Sequence, residues 1–178
     1  MEETGLGRTP VREALQTLAR NRLVEIHPHK GILIPPTSVE SELRMLELRR
    51  VMEVLAVRLA CERSTAQERR EMRVMVDHLE SGLFSLRTYA ETVKDTHQII
   101  VAGAHNSYLA DAIAPLQVLS RRFWVTHVRD EAGEISTASR WHQTILNAII
   151  SGDSDGAETA SLGLNAYLVN FALATLSR

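Results

Sequence analysis

Arg8, Arg12 and Gln16 recur at four-residue spacing, and His29, Lys30 and Gly31 follow one another directly. On a helix the first three share one side, away from the apolar stripe of Val11, Ala14, Leu15 and Leu18. The last three form a basic, glycine-containing turn between two apolar runs. Cations at a helix start and at a hairpin tip are chemistry for an anionic partner. Charge points weakly the same way. Residues 1–36 hold five basic side chains against four acidic ones, a net +1, whereas the chain as a whole is −2. The patterns of catalysis are absent: there is no Ser/His/Asp set at motif spacing, no glycine-rich phosphate loop and no zinc-protease motif. Cys61 has Arg58 and Arg63 nearby but no pattern of a nucleophile, and reads as a buried structural thiol. The sequence is not read as an enzyme.

The elements that position these residues follow from periodicity. Thr9 reads as an N-cap and Pro10 as a first-turn residue of a helix to about Ala19. Leu23–His27 and Ile32–Ile34 alternate as two strands around Pro28–Gly31. Pro35-Pro36 ends this head as a short stiff linker. Six amphipathic helices follow. The first is capped by Thr37 or Ser38, with an apolar face of Leu43, Met45, Leu46, Val51, Leu55 and Leu59. The second runs from Ser64 towards Gly82, the third from Leu86 to Ala104, and the fourth from Asn106 through Pro115, where a kink is expected. The fifth spans about Ile135–Ile150 and stops at Gly152, and the last runs from Asp153 to near Leu176. Arg69, Arg70 and Arg73 read as a solvated face, and Met45, Met52, Met72 and Met75 as core. His78, His105 and His127 read as surface or cap residues, and Phe123, Trp124 and Trp141 as core or dimer contacts.

The 178 residues, 44% hydrophobic and 24% charged, can bury a core. Disorder is excluded, as is a spanning helix, since no apolar run approaches about 18 residues. The acidic Met1–Gly5 start is not a signal peptide. A single cysteine suits a reducing cytoplasm. The division is residues 1–36, a small head, and residues 37–178, a helical body.

Gly5-Leu6-Gly7-Arg8-Thr9-Pro10-Val11-Arg12-Glu13-Ala14-Leu15, Leu18, Leu23-Val24 and Pro28-His29-Lys30-Gly31 resemble the winged helix-turn-helix of GntR-family transcriptional regulators. The resemblance implies that Arg8, Thr9 and Arg12 contact phosphates and base edges of a double-stranded DNA operator. It places His29, Lys30 and Gly31 at the wing tip near the minor groove. The physics agrees: a helix N-terminus attracts phosphate, and arginine is the commonest reader of guanine edges. The family's domain has two helices before this turn, whereas here only Met1–Thr4 precede Gly5. The winged domain is therefore expected to be partial.

Leu48-Arg49-Arg50-Val51-Met52-Glu53, Leu59-Ala60, His97, Asn106, Leu109, His142 and Gly152-Asp153 resemble the FCD ligand-binding domain of the FadR branch of that family. The implied fold is mostly α, a partial winged helix-turn-helix followed by an all-helical bundle of about six helices. The implied cavity takes a small organic acid, and many members hold a divalent metal there with one Asp and three His. His97 and His142 match two of those ligands; Val93 and Leu164 stand at the other two. Two readings stay open: zinc or a similar ion helped by water or by the ligand's carboxylate, or a metal-free pocket whose histidines hydrogen-bond a ligand. The apolar replacements favour the second, and an effector less polar than a di- or tricarboxylate. Arg49 matches the family's carboxylate-facing arginine, with a surface salt bridge to Glu53 as the equal alternative. Arg121 and Arg122 are lesser candidates.

The expected protein is a homodimeric, cytoplasmic DNA-binding regulator without a membrane partner. The alternative is a truncated stand-alone sensing and dimerisation module that does not bind DNA.

Overall fold

Gly7 supplies the extended residue from which the first helix, α1 (Arg8–Arg20), springs. A computed structural model describes residues 7–176, apart from the side chain of Arg8. Thr9 is therefore not the N-cap; it lies inside the first turn, and Gly7 takes that place without a side-chain cap bond. The helix closes with Leu23 N–H donating to Leu18 O and Arg22 N–H to Ala19 O, with Arg22 at a φ of 58°. This closure occupies Leu23, so the first strand starts later than the alternation predicts. Strands β1 (Glu25–His27) and β2 (Gly31–Leu33) pair antiparallel, Ile26 opposite Ile32. At their tip His29 and Gly31 both adopt positive φ, a conformation Gly31 takes without a Cβ penalty.

The chain divides at Thr37/Ser38 into two compact units. The second contains six helices: α2 (Val39–Arg63), α3 (Ala66–Glu80), α4 (Leu86–Gly103), α5 (Ser107–His127), α6 (Glu131–Ser151) and α7 (Ser154–Ala174). Each begins at a side chain that accepts a backbone N–H: Ser38, Thr65, Ser85, Asn106, Asp130 and Asp153. Thr65 with Glu68 and Ser85 with Thr88 form capping boxes. Helix α6 begins four residues before the periodicity predicts, where Asp130 caps the amide of Gly133. Helix α5 continues through Pro115.

Helix α2 packs against α4, α5, α6 and α7, and α3 against α4 and α6. The core includes Val57, Met72, Tyr89, Ile100, Phe123, Trp124, Ile145, Leu146 and Phe171. The face of α2 differs from expectation. Val51 is 67% exposed and Leu55 is exposed, whereas Glu42, Arg49 and Glu53 are buried beside Leu46, Ala56 and Ala60. An apolar tally misplaces that face because its polar members pair with groups deep in the bundle. Arg69, expected on a solvated face, donates to the carbonyls of Cys61 (2.7 Å) and Ile150 (2.9 Å) and so ties the ends of α2 and α6 to α3.

Candidate effector cavity

His97 on α4 and His142 on α6 point into the bundle, 7% and 3% exposed, with ring centroids 5.4 Å apart. Two small cavities flank the pair. One, of about 40 Å³, is lined by Arg49, Tyr89, Ala90, Val93, Ser120, Arg121, Trp124, Ala138, Leu164 and Leu168 together with both histidines. The other, of about 20 Å³, adds Glu53, Gln117 and Ser161. The structure therefore brings together His97, His142, Val93, Leu164 and Arg49, which lie on α2, α4, α6 and α7.

The tautomer of His142 follows from its neighbours. Its Nδ1 lies 2.8 Å from Ala138 O, and a carbonyl only accepts, so Nδ1 carries the proton. Tyr89 Oη lies 3.4 Å from the same nitrogen. His142 Nε2 is then a bare lone pair, buried and without a hydrogen-bond partner. Both nitrogens of His97 are likewise buried and unpartnered. Burial pushes His142 down to about 4 and His97 well below the usual imidazole range, and the positive charge of Arg49 lowers both further. Both rings are neutral at neutral pH. Unmatched polar atoms in a core carry a desolvation penalty of about 1–3 kcal/mol each, which a bound molecule relieves.

Arg49 lines the larger cavity and pairs with Glu53, as one of its two sequence readings has it, but that salt bridge is buried, not on the surface. The guanidinium is 1% exposed and donates from Nε (3.1 Å) and Nη2 (2.5 Å) to Glu53 Oε1. Gln117 adds a donor to the same oxygen at 3.4 Å. That cation is thus already balanced. Arg121, half-buried in the wall of the larger cavity, makes no ion pair among the described residues. Burial lowers its pKa, as does Arg49, while Asp95 acts against the shift from a distance. The lining therefore carries one excess positive charge at Arg121. Ser120 completes the wall and donates to Glu42 Oε1 at 2.5 Å. Ser120, Tyr89 and Glu42 carried no candidate site role in the sequence, and Arg121, a lesser candidate there, lies in the cavity wall. Trp124 is both core, as expected, and cavity wall.

The donors present do not fit a resident divalent ion. Val93 and Leu164 offer no lone pair, and no group of three or more His, Cys, Asp or Glu among the described residues could hold one. Glu53, the acid bordering the smaller cavity, is engaged by Arg49.

In the first unit, Thr9, Arg12, His29, Lys30 and Gly31 are all exposed. Arg8 is the first residue of α1, and its side chain lies outside the described residues, as do Gly5 and Leu6 of the motif. No acidic residue stands in the first turn of α1 to offset its positive end.

A small head carrying a two-stranded hairpin thus precedes a six-helix bundle with a small, mostly apolar cavity. The FCD domain family matches residues 44–164, and the family described as bacterial regulatory proteins, gntR family, matches residues 1–34. The chain belongs to the FCD-domain regulators of the GntR family and is a transcriptional regulator, not an enzyme. It is 24% identical to the galactonate operon transcriptional repressor of Escherichia coli (strain K12), across 90% of this chain and 79% of that one. It is 30% identical to the Nta operon transcriptional regulator of Aminobacter aminovorans across 61% of this chain and 52% of that protein. Among solved structures, E. coli McbR/YncC superposes with a TM-score of 0.79 at 18% identity, covering 98% of this chain and 84% of that one. No described helix is long and apolar enough to cross a membrane.

Proposed function

We propose that this regulator acts as a cytoplasmic homodimer that binds a DNA operator through its head and releases or tightens on it when a small organic acid enters the helical cavity. The observation that carries the reading is the meeting of Arg121, Arg49, His97 and His142 around one cavity, with unpartnered imidazole nitrogens and one unbalanced cation. The acid's carboxylate faces Arg121, with the Arg49–Glu53 pair behind it. The site works without a resident metal, because two imidazoles facing Val93 and Leu164 are too few ligands.

The head contacts DNA through Arg8, Thr9 and Arg12 at the start of α1, and through His29, Lys30 and Gly31 at the hairpin tip. A dimer presents two copies of α1 to successive major grooves of a pseudo-palindrome. Effector binding alters operator affinity by its differential affinity for the two states of the protein.

Fluorescence anisotropy on DNA from the gene's own upstream region, at two salt concentrations and with a panel of small acids, tests this. Binding with a steep salt slope, changed by an acid, is the expected result. Ligand-dependent melting with no DNA binding at either salt would instead make the chain a sensing module.

A further inference from the structure

We infer that His97 and His142 form a receptor for a ligand hydroxyl, so that the effector is a small hydroxy monoacid whose hydroxyl is held directly by the two imidazoles. The inference rests on the effector reading above and narrows it.

Hydrogen-bond accounting leads there. His142 Nε2 can only accept, since its proton sits on Nδ1 against Ala138 O. A neutral His97 offers one N–H and one lone pair, both unpartnered. The pair thus presents an acceptor and a donor from rings 5.4 Å apart. A hydroxyl, which donates once and accepts twice, can donate to His142 Nε2 and accept the His97 N–H at once, leaving only the His97 lone pair unmet. A carboxylate cannot, because it has no proton for His142. Charge and size narrow the ligand further. Arg49 is balanced by Glu53, so Arg121 alone calls for an anion, and a second carboxylate would lack a partner. The larger cavity, of about 40 Å³, has room for only a few waters and so suits a small acid. Val93 and Leu164 suit its carbon chain.

The experiment compares acids that differ only by the hydroxyl: DL-lactate against propionate, and DL-3-hydroxybutyrate against butyrate. The controls are 1,2-propanediol, which lacks the carboxylate, and malonate, which has two. Binding to the full chain is measured calorimetrically in EDTA. At least one hydroxy acid is expected to bind tenfold or more tightly than its deoxy partner, and both controls at least tenfold more weakly than that acid. In His142→Leu the hydroxyl preference falls below twofold. Nitrogen-15 NMR of the wild type is expected to show His142 protonated on Nδ1, with its Nε2 resonance moved by the hydroxy acid and not by the deoxy one. This readout stands if the variant fails to fold. Equal binding within both pairs overturns the inference and leaves a buried water as the partner of the rings. Binding only when zinc replaces EDTA overturns it in favour of a metal, as does a His142 protonated on Nε2. If none of these acids binds while another acid releases the operator DNA, this inference falls and the effector reading survives.

Discussion

Glu42 is a carboxyl 3% exposed in the first turns of α2, with the Ser120 hydroxyl as its hydrogen-bond donor. Burial raises its pKa above the ordinary 4.5, against the opposing pull of Ser120, Arg49 and His127. A pKa raised by folding gives stability that is complete below the unfolded value and is lost as pH rises through the folded one. Glu42→Gln keeps the acceptor for Ser120 and cannot ionise. It should be more stable than the parent at pH 8, with the gap closing as pH falls towards 4.5. Urea denaturation at pH 5 and pH 8 checks this; a gap of equal size at both would show that ionisation of Glu42 is not responsible. Nothing in the sequence marks Glu42, because its helical position fixes the direction it faces only once the packing of α2 is known. His97 and His142 were legible because their spacing to other motif residues matched a family pattern. Their bare nitrogens were not, since these depend on Ala138 O and on the absence of neighbours contributed by four helices.

At the scale of elements, helix starts were the most readable feature, because a cap acts through residues within one turn. Ser38, Asn106 and Asp153 cap where the sequence predicts, and Thr65 caps one residue after the predicted Ser64, whereas the start of α6 at Asp130 was missed. Contacts between helices were less readable. Gly163 on α7 sits where an added Cβ would overlap the ring of Trp141 on α6. Gly163→Ala should therefore destabilise the bundle by about 1–3 kcal/mol, despite the better helix propensity of alanine. Thermal melting reads the loss, and Trp141→Leu in the same chain should recover part of it. Arg69 works at the opposite end of the size range. Its guanidinium joins carbonyls at the ends of α2 and α6, so Arg69→Ala should cost about 1–3 kcal/mol, while Arg70→Ala, whose partner is the exposed Gln67, should change little. Equal melting temperatures for the two variants would return Arg69 to the solvated face its sequence neighbours imply.

For the whole molecule, the buried core lies entirely beyond Ser38 among the described residues. In the first unit Val11 and Leu15 are half-buried, and Leu18, Ile26, Ile32 and Leu33 are exposed. If the head carries DNA recognition, as proposed, stability and recognition lie on different stretches of chain and are separable by mutation. Arg12 is exposed on α1 one turn after Arg8 and makes no ion pair among the described residues. Arg12→Ala should leave the melting temperature unchanged. If Arg12 meets a phosphate, operator affinity should fall about tenfold for every sequence and the salt slope should drop by about one. If it reads a guanine edge, affinity should fall by about 1–3 kcal/mol for the operator alone, while binding to unrelated DNA is kept. In either case the response of the helical body to an acid, read as a shift in melting temperature, should persist, because the residues lining the cavity all lie on α2 to α7. An Arg12→Ala protein that binds its operator as tightly as the parent at both salts would remove Arg12 from the DNA interface.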